Sequence, residues 1–194
     1  MLQFSFLVLS FVFILIAITV HEFSHALAAD LLGDPTPRYF KRLTLNPIAH
    51  IDPIGLIMLI VVRFGWAKPV PINPLNFNNP RRDAALVSLA GPISNFIFAF
   101  LLGLVLKYSG LPESLWRDLI GYGLWINLAL GVFNLIPVPP LDGSKILSFF
   151  LPYDMAWKLE NIGLTGTIIL LFILLSPFSS VLTGIINWLY QLLT

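Results

Sequence analysis

Cysteine is absent from the 194 residues, which excludes disulfides and every thiolate metal site. Histidine is nearly absent: there are three. Any nitrogen-ligated metal must therefore draw on His21, His25 and His50, helped by some of the ten carboxylates. Charge is also scarce, at 11% of residues, against about 25% in an ordinary soluble chain. Mean hydropathy is +0.87 and 57% of the residues are hydrophobic. A water-soluble fold of this length could not cover its surface with so few polar groups, so the chain reads as an integral membrane protein. The net charge of +1 supplies no basic field, so nucleic acid is not an expected partner. A basic region before the first apolar run and a small-residue cleavage site after it are both missing, so a cleaved signal peptide is not expected. There is no internal repeat and no low-complexity tail.

What is present begins with His21-Glu22-Phe23-Ser24-His25, set inside an apolar stretch from about Phe4 to Leu32. Two histidines four apart on a helix lie on one face, one turn apart. That spacing lets both imidazoles reach one zinc ion, with a glutamate beside them to act on water. Two imidazoles and a carboxylate at membrane depth are costly, so a functional site is the default reading there. The stretch has no internal Pro or Gly and ends at Gly33, Pro35 and Pro37, which favours one spanning helix.

Two further runs are long enough to span, Ala84 to Leu106 and about Asp118 to Ile136. Ile54 to Phe64 is too short and carries Arg63, which suits a short or re-entrant element. Ile162 to Leu175 and Phe178 to Leu193 form one or two more spans around Ser176-Pro177. Tyr39 to Pro47 alternates apolar and polar residues and predicts a short strand or hairpin. Prolines 69, 71 and 74 predict an extended loop or edge that could pair with a substrate strand. The expected fold is thus an all-α polytopic membrane protein. It has about five to six transmembrane or re-entrant helices and a short β-hairpin or extended loop near the active site.

Orientation follows from the basic residues. Arg38, Lys41, Arg42, Arg63, Lys68, Arg81 and Arg82 lie between the first two long spans. The positive-inside rule places that region in the cytoplasm, with His21, His25 and Asp142 toward the same side. Trp66, Trp116, Tyr122, Trp188 and Tyr190 read as interface anchors.

A hydrolytic zinc site needs a third protein ligand. Asp142, His50 with Asp52, and Asp30 are the candidates at matching depth. Asp30 sits on the histidine helix but on a different face. Asp142 follows the third long span, in the turn Pro139-Pro140-Leu141-Asp142-Gly143, and is the first choice. Its bland alternative is a helix N-cap. Glu22 would be general base and then proton donor to the leaving amine. Asn95 and Asn134 read either as interhelical hydrogen-bond partners or as donors to the substrate backbone or oxyanion. His50 reads as an interfacial loop residue, or as a ligand or gate.

Three stretches together resemble the site-2 protease family of intramembrane zinc metalloproteases: His21-Glu22-Phe23-Ser24-His25-Ala26, Gly91-Pro92-Ile93-Ser94-Asn95, and Asn134 through Gly143. His50 to Gly55 and Gly65 to Pro71 are also similar to the family's small prokaryotic branch. The resemblance runs from about Phe11 to Leu151, and no PDZ insertion or CBS domain interrupts it. The zinc helix is the first helix, where better-known members have it second. The resemblance implies that Asp142 is the third ligand to one zinc ion per chain. It implies that Asn134, and Asn95 with it, helps bind substrate or stabilise the oxyanion. It also implies that the Gly65–Pro74 loop enters the membrane beside the site.

The expectation is a single membrane protease domain over 1–194, with core motifs in 11–151 and C-terminal helices in 152–194. Its activity would be zinc-dependent cleavage of transmembrane segments in or near the bilayer of the cell membrane. The partners would be a membrane-protein substrate and the lipid bilayer, with a homo-oligomer or a regulatory membrane partner compatible with such a chain. The alternative is a membrane zinc-binding or transport protein without hydrolytic activity.

Overall fold

The computed structural model describes residues 2–62 and 65–194, and every element among them is helical. Helix α1 (Leu2–Leu31) holds the two histidines. Its hydroxyls at Ser10, Thr19 and Ser24 bond back to the carbonyls of Phe6, Leu15 and Val20, at 2.6, 2.6 and 2.7 Å. No hydroxyl of that set is left bare in an apolar setting. The chain then turns at Gly33, whose φ of 103° is left-handed.

Helix α2 (Thr36–Tyr39) and a 3₁₀ turn (Pro47–His50) fill the connector. Helix α3 (Pro53–Val62) follows, then an extended strap over 65–73 and a second 3₁₀ turn (Pro74–Asn76). Helix α4 (Pro80–Tyr108) starts on a reciprocal cap. The Asn79 side chain accepts from the Arg82 amide at 3.3 Å, and Asp83 accepts from the Asn79 amide at 2.9 Å. Helix α5 (Leu115–Asn134) packs on α4, and α6 (Asp142–Phe150), α7 (Tyr153–Glu160), α8 (Leu164–Leu175) and α9 (Phe178–Leu193) complete the chain.

Two sequence expectations are overturned here. Among the described residues, two helices are long and apolar enough to cross a membrane, Val8–Leu31 and Pro80–Tyr108, where five to six transmembrane or re-entrant helices were expected. The pair α7 and α8 qualifies only jointly, across a 77° bend, which makes at most three among those residues. Helix α5 has 20 residues, but Arg117, Asp118, Asn127, Asn134 and its glycines dilute its apolar character. Helices α3 and α9, with 10 and 16 residues, are short of about 20.

No strand or hairpin occurs among the described residues; Ile51 and Ala67 form an isolated antiparallel bridge. Tyr39–Pro47 satisfies its backbone locally instead. Pro35 and Pro37 favour the first turn of α2, Lys41 turns the chain at φ 55°, and Asn46 caps the 3₁₀ turn at the Ile48 amide. Arg63 and Phe64, which end the short element expected from Ile54, lie outside the described residues.

The apolar core of the bundle is Ala99, Leu106, Leu124, Leu128 and Ile186, shared by α4, α5 and α9. Helices α1, α4 and α5 meet beside it. Gly123 permits that meeting: a Cβ there would sit 2.3 Å from the Phe13 ring of α1. Small residues at such crossings let membrane helices approach closely.

Candidate metal centre

Three elements deliver the central groups. His21 and His25 point from one face of α1, and Asp142 is the first residue of α6. The N-cap position of α6 is Leu141, so the Asp142 side chain is not spent on capping. The two Nε2 atoms are 3.0 Å apart, and an Asp142 carboxylate oxygen is 3.2 Å from each. Both histidines are buried. Among the described residues, His21, His25 and Asp142 are the one cluster of ligating side chains that could hold a metal ion.

The hydrogen bonds behind the rings fix their chemistry. His25 Nδ1 lies 2.7 Å from the Val87 carbonyl, which can only accept, so Nδ1 carries the proton. His21 Nδ1 lies 2.7 Å from Asn95 Oδ1. The Asn95 amide nitrogen faces the Ala17 carbonyl at 3.2 Å, so its oxygen is the end turned to His21. Both Nε2 atoms then present lone pairs to a common point. Zinc with bonds of ~2.0–2.1 Å in tetrahedral geometry needs ligand separations of about 3.3 Å. The observed triangle has edges of 3.0, 3.2 and 3.2 Å, so the donor set fits such an ion. An ionised carboxylate is the form a metal ligand must take.

Gly91 of α4 makes this convergence possible. A Cβ there would lie 2.5 Å from His25 Nε2 and 2.7 Å from His21 Cε1.

The triad opens on a cavity of about 390 Å³. Glu22, Asn134, Lys145 and the strap residues Trp66, Ala67 and Val70 line it. Asn134 donates back to the Leu130 carbonyl at 3.0 Å, which leaves one amide proton for a visitor. A larger hollow of about 540 Å³ lies around Glu113, Arg117, Tyr122 and Tyr190. It contains none of the triad, so size does not locate the chemistry.

The other sequence candidates lie elsewhere. Asp30 is paired with Arg38 through contacts of 3.0 and 2.5 Å. Asp52 accepts from the Gly55 amide at the start of α3. His50 is buried and donates to the Thr44 carbonyl at 2.8 Å. Asn95 is buried behind His21 and does not line the cavity.

Some functional groups were not singled out from the sequence: Asn127 behind Asn95, the Val87 carbonyl, and the two charged residues that pin the strap. Asn127 sits seven residues before Asn134, a spacing that hinted at a shared face. Arg42, buried, donates to the Lys68 carbonyl. Asp34, also buried, accepts from the Asn73 amide at 2.7 Å and the Asn76 side chain at 2.6 Å. Thr36 donates its hydroxyl to Asp34 as well, at 2.5 Å.

Burial pushes the Asp34 carboxyl up, but these donors prevail and hold it below its ordinary value. Its stabilising contribution is therefore full above about pH 4, the unfolded value, and is lost as pH falls through the depressed folded value. Asp34→Ala strands buried donors and costs about 2 kcal/mol. Limited proteolysis then nicks 65–77 at neutral pH, while the wild-type strap opens only in acid. Equal resistance of the two at neutral pH would remove Asp34 as the strap's anchor.

The chain is similar to known peptidases. The model of peptidase family M50 matches residues 106–174. YwhC of Bacillus subtilis, named as a candidate zinc metalloprotease, is 41% identical over 175 residues, covering 86% of this chain and 80% of its own. Rip2 of Mycobacterium tuberculosis, named likewise, is 30% identical over 187 residues, 92% of this chain and 71% of its own. Zinc metalloprotease MJ0392 of Methanocaldococcus jannaschii is 28% identical over 172 residues, 86% of this chain and 43% of its own. No solved structure matches the chain.

Proposed function

Because the chain belongs to the site-2 protease family of intramembrane zinc metalloproteases, peptidase family M50, we propose that it is a zinc endopeptidase. On this reading it cuts transmembrane segments of other proteins in or near the bilayer of the cell membrane. The observation that carries the reading is the convergence of two unprotonated Nε2 atoms and a carboxylate within 3.0–3.2 Å, beside a glutamate-lined cavity.

His21, His25 and Asp142 hold the ion, one per chain. Zinc, when bound, brings the pKa of a water to about 7 and polarises the scissile carbonyl. Glu22 accepts a proton from the attacking water and returns it to the leaving amine nitrogen. Asn134 offers its remaining amide proton to the oxyanion or the substrate backbone. Asn95 works behind the metal, by orienting His21.

A substrate helix must unwind to expose its peptide bond, and bare backbone groups in lipid are costly. The extended strap over 65–73 borders the cavity and offers backbone to the unwound segment. The basic connector residues support an active site at the cytoplasmic end of α1.

The test uses purified protein in proteoliposomes with single-span membrane peptides, and maps products by mass spectrometry. Cleavage within or beside the span, stopped by a zinc chelator and restored by one equivalent of zinc, is the expected result. Zinc binding without any peptide hydrolysis, together with zinc flux across the vesicle, would favour the transport alternative and sink the protease reading.

A further inference from the structure

Asn127 lies on α5 and touches neither the triad nor the cavity that the triad opens on. It is fully buried, as is Asn95 of α4. The two side chains are linked by a 3.0 Å hydrogen bond from Asn95 Nδ2 to Asn127 Oδ1. Asn127 Nδ2 donates in turn to the Gly123 carbonyl at 2.8 Å. A chain of hydrogen bonds thus runs from a backbone carbonyl on α5, through two amides, to His21 Nδ1 on α1.

The direction of this chain is not free. The Gly123 carbonyl can only accept, so the nitrogen of Asn127 must face it and the oxygen must face Asn95. Asn95 then meets two acceptors on one side, Asn127 Oδ1 at 3.0 Å and the Ala17 carbonyl at 3.2 Å. Only its NH₂ end can serve both. Its oxygen is left for His21, which must supply a proton from Nδ1 and keep Nε2 bare.

Turned the other way, Asn95 would place oxygen against two acceptors and present N–H to His21. His21 would then carry its proton on Nε2, and an Nε2–H cannot bind a metal. We propose that Asn127 is a positioning residue that, through Asn95, holds His21 in the tautomer whose Nε2 binds the metal. The inference rests on the reading of His21 as a zinc ligand. It assigns α5 a share in the metal site that its contacts with the cavity do not show.

The competing account is that Asn127 and Asn95 merely join α5 to α4, a common use of Asn in membrane bundles. The two accounts part at His21. Glue alone would leave the histidine tautomer indifferent to the acceptor at Asn127.

The experiment compares the full chain with Asn127→Leu and Asn127→Asp in detergent. Zinc affinity is read by competition with a chromophoric chelator, and the tautomers from ¹⁵N-histidine NMR of the zinc-free protein. Leucine is near in size and removes the nearer of the two acceptors that orient Asn95, leaving the Ala17 carbonyl at 3.2 Å alone; aspartate, protonated so that it still donates to the Gly123 carbonyl, keeps an oxygen facing Asn95. The expected result is a 10–100-fold loss of zinc affinity in Asn127→Leu, the usual range for partners behind a ligand. A new Nε2–H signal at His21 accompanies it, with His25 unchanged. Asn127→Asp rescues both readouts. If Asn127→Leu does not fold, Asn127→Ser, too short to reach Asn95, takes its place. Wild-type affinity and an unchanged His21 signal in a folded leucine or serine variant overturn the proposal. A wild-type chain that binds no zinc overturns the metal reading instead, and the His21 tautomer in the variants still decides the relay.

Discussion

Glu22→Gln lowers the cleavage rate by about 10³-fold, the scale of a lost general base, and leaves zinc bound at one equivalent. The amide matches the carboxylate in size and preserves any donor or acceptor contact made by one oxygen. What it cannot do is accept the proton of the attacking water. Glu22 is next to His21 in sequence yet is not one of the three converging groups, so the triad keeps all its ligands. The loss therefore falls on kcat, with KM little changed. His21→Ala gives a different signature: it removes a ligand, so activity and zinc are lost together. The pair of measurements separates chemistry from metal holding. Cleavage by Glu22→Gln at the wild-type rate would falsify the assignment of Glu22 as the base.

The parts of the site that could be read from the sequence are those set by local periodicity. His21 and His25 share a face because helical geometry demands it, and that needed no tertiary information. Asp142 is 117 residues from His25; its place in the chain makes it the first choice among several candidates, and the resemblance implies the same. The structure brings Asp142 to the histidines and leaves Asp30, Asp52 and His50 to Arg38, the Gly55 amide and the Thr44 carbonyl. The direction of an amide is not periodic, so Asn95 could be read as a substrate donor when its place is behind His21. The hairpin over Tyr39–Pro47 failed for a related reason: alternation marks a strand only if a partner strand exists, and prolines and an Asn cap close this segment on itself. Apolar runs alone do not support the expected five to six transmembrane or re-entrant helices. The helices they form are short, or diluted by polar residues, as in α5. Gly91 serves an approach between helices that no local pattern encodes.

Gly91→Ala weakens zinc binding by about 100-fold or more, the upper range for changes behind a ligand, although the same change usually favours a helix. In an exposed helix interior alanine gains about 1 kcal/mol over glycine. At this position the new methyl would stand 2.5 Å from His25 Nε2, 2.6 Å from His25 Cε1 and 2.7 Å from His21 Cε1. All are closer than a real Cβ tolerates, and one of the atoms struck is the nitrogen that would bind the metal. The rings cannot swing clear without cost, because each is held from behind: His25 by the Val87 carbonyl and His21 by Asn95. Either those hydrogen bonds break or α1 moves away from α4, and both separate Nε2 atoms that now lie 3.0 Å apart. Gly103 on the same helix is the control. A Cβ there would meet Leu193 at 3.0 Å, at the far end of α9 and away from the triad. Gly103→Ala carries the same gain in helix propensity and a milder packing insult, and zinc affinity stays at the wild-type level. Chelator competition on the two variants decides the matter: equal zinc affinity would show that the approach of α4 to the histidines is packing alone. A loss confined to Gly91→Ala ties that approach to the metal.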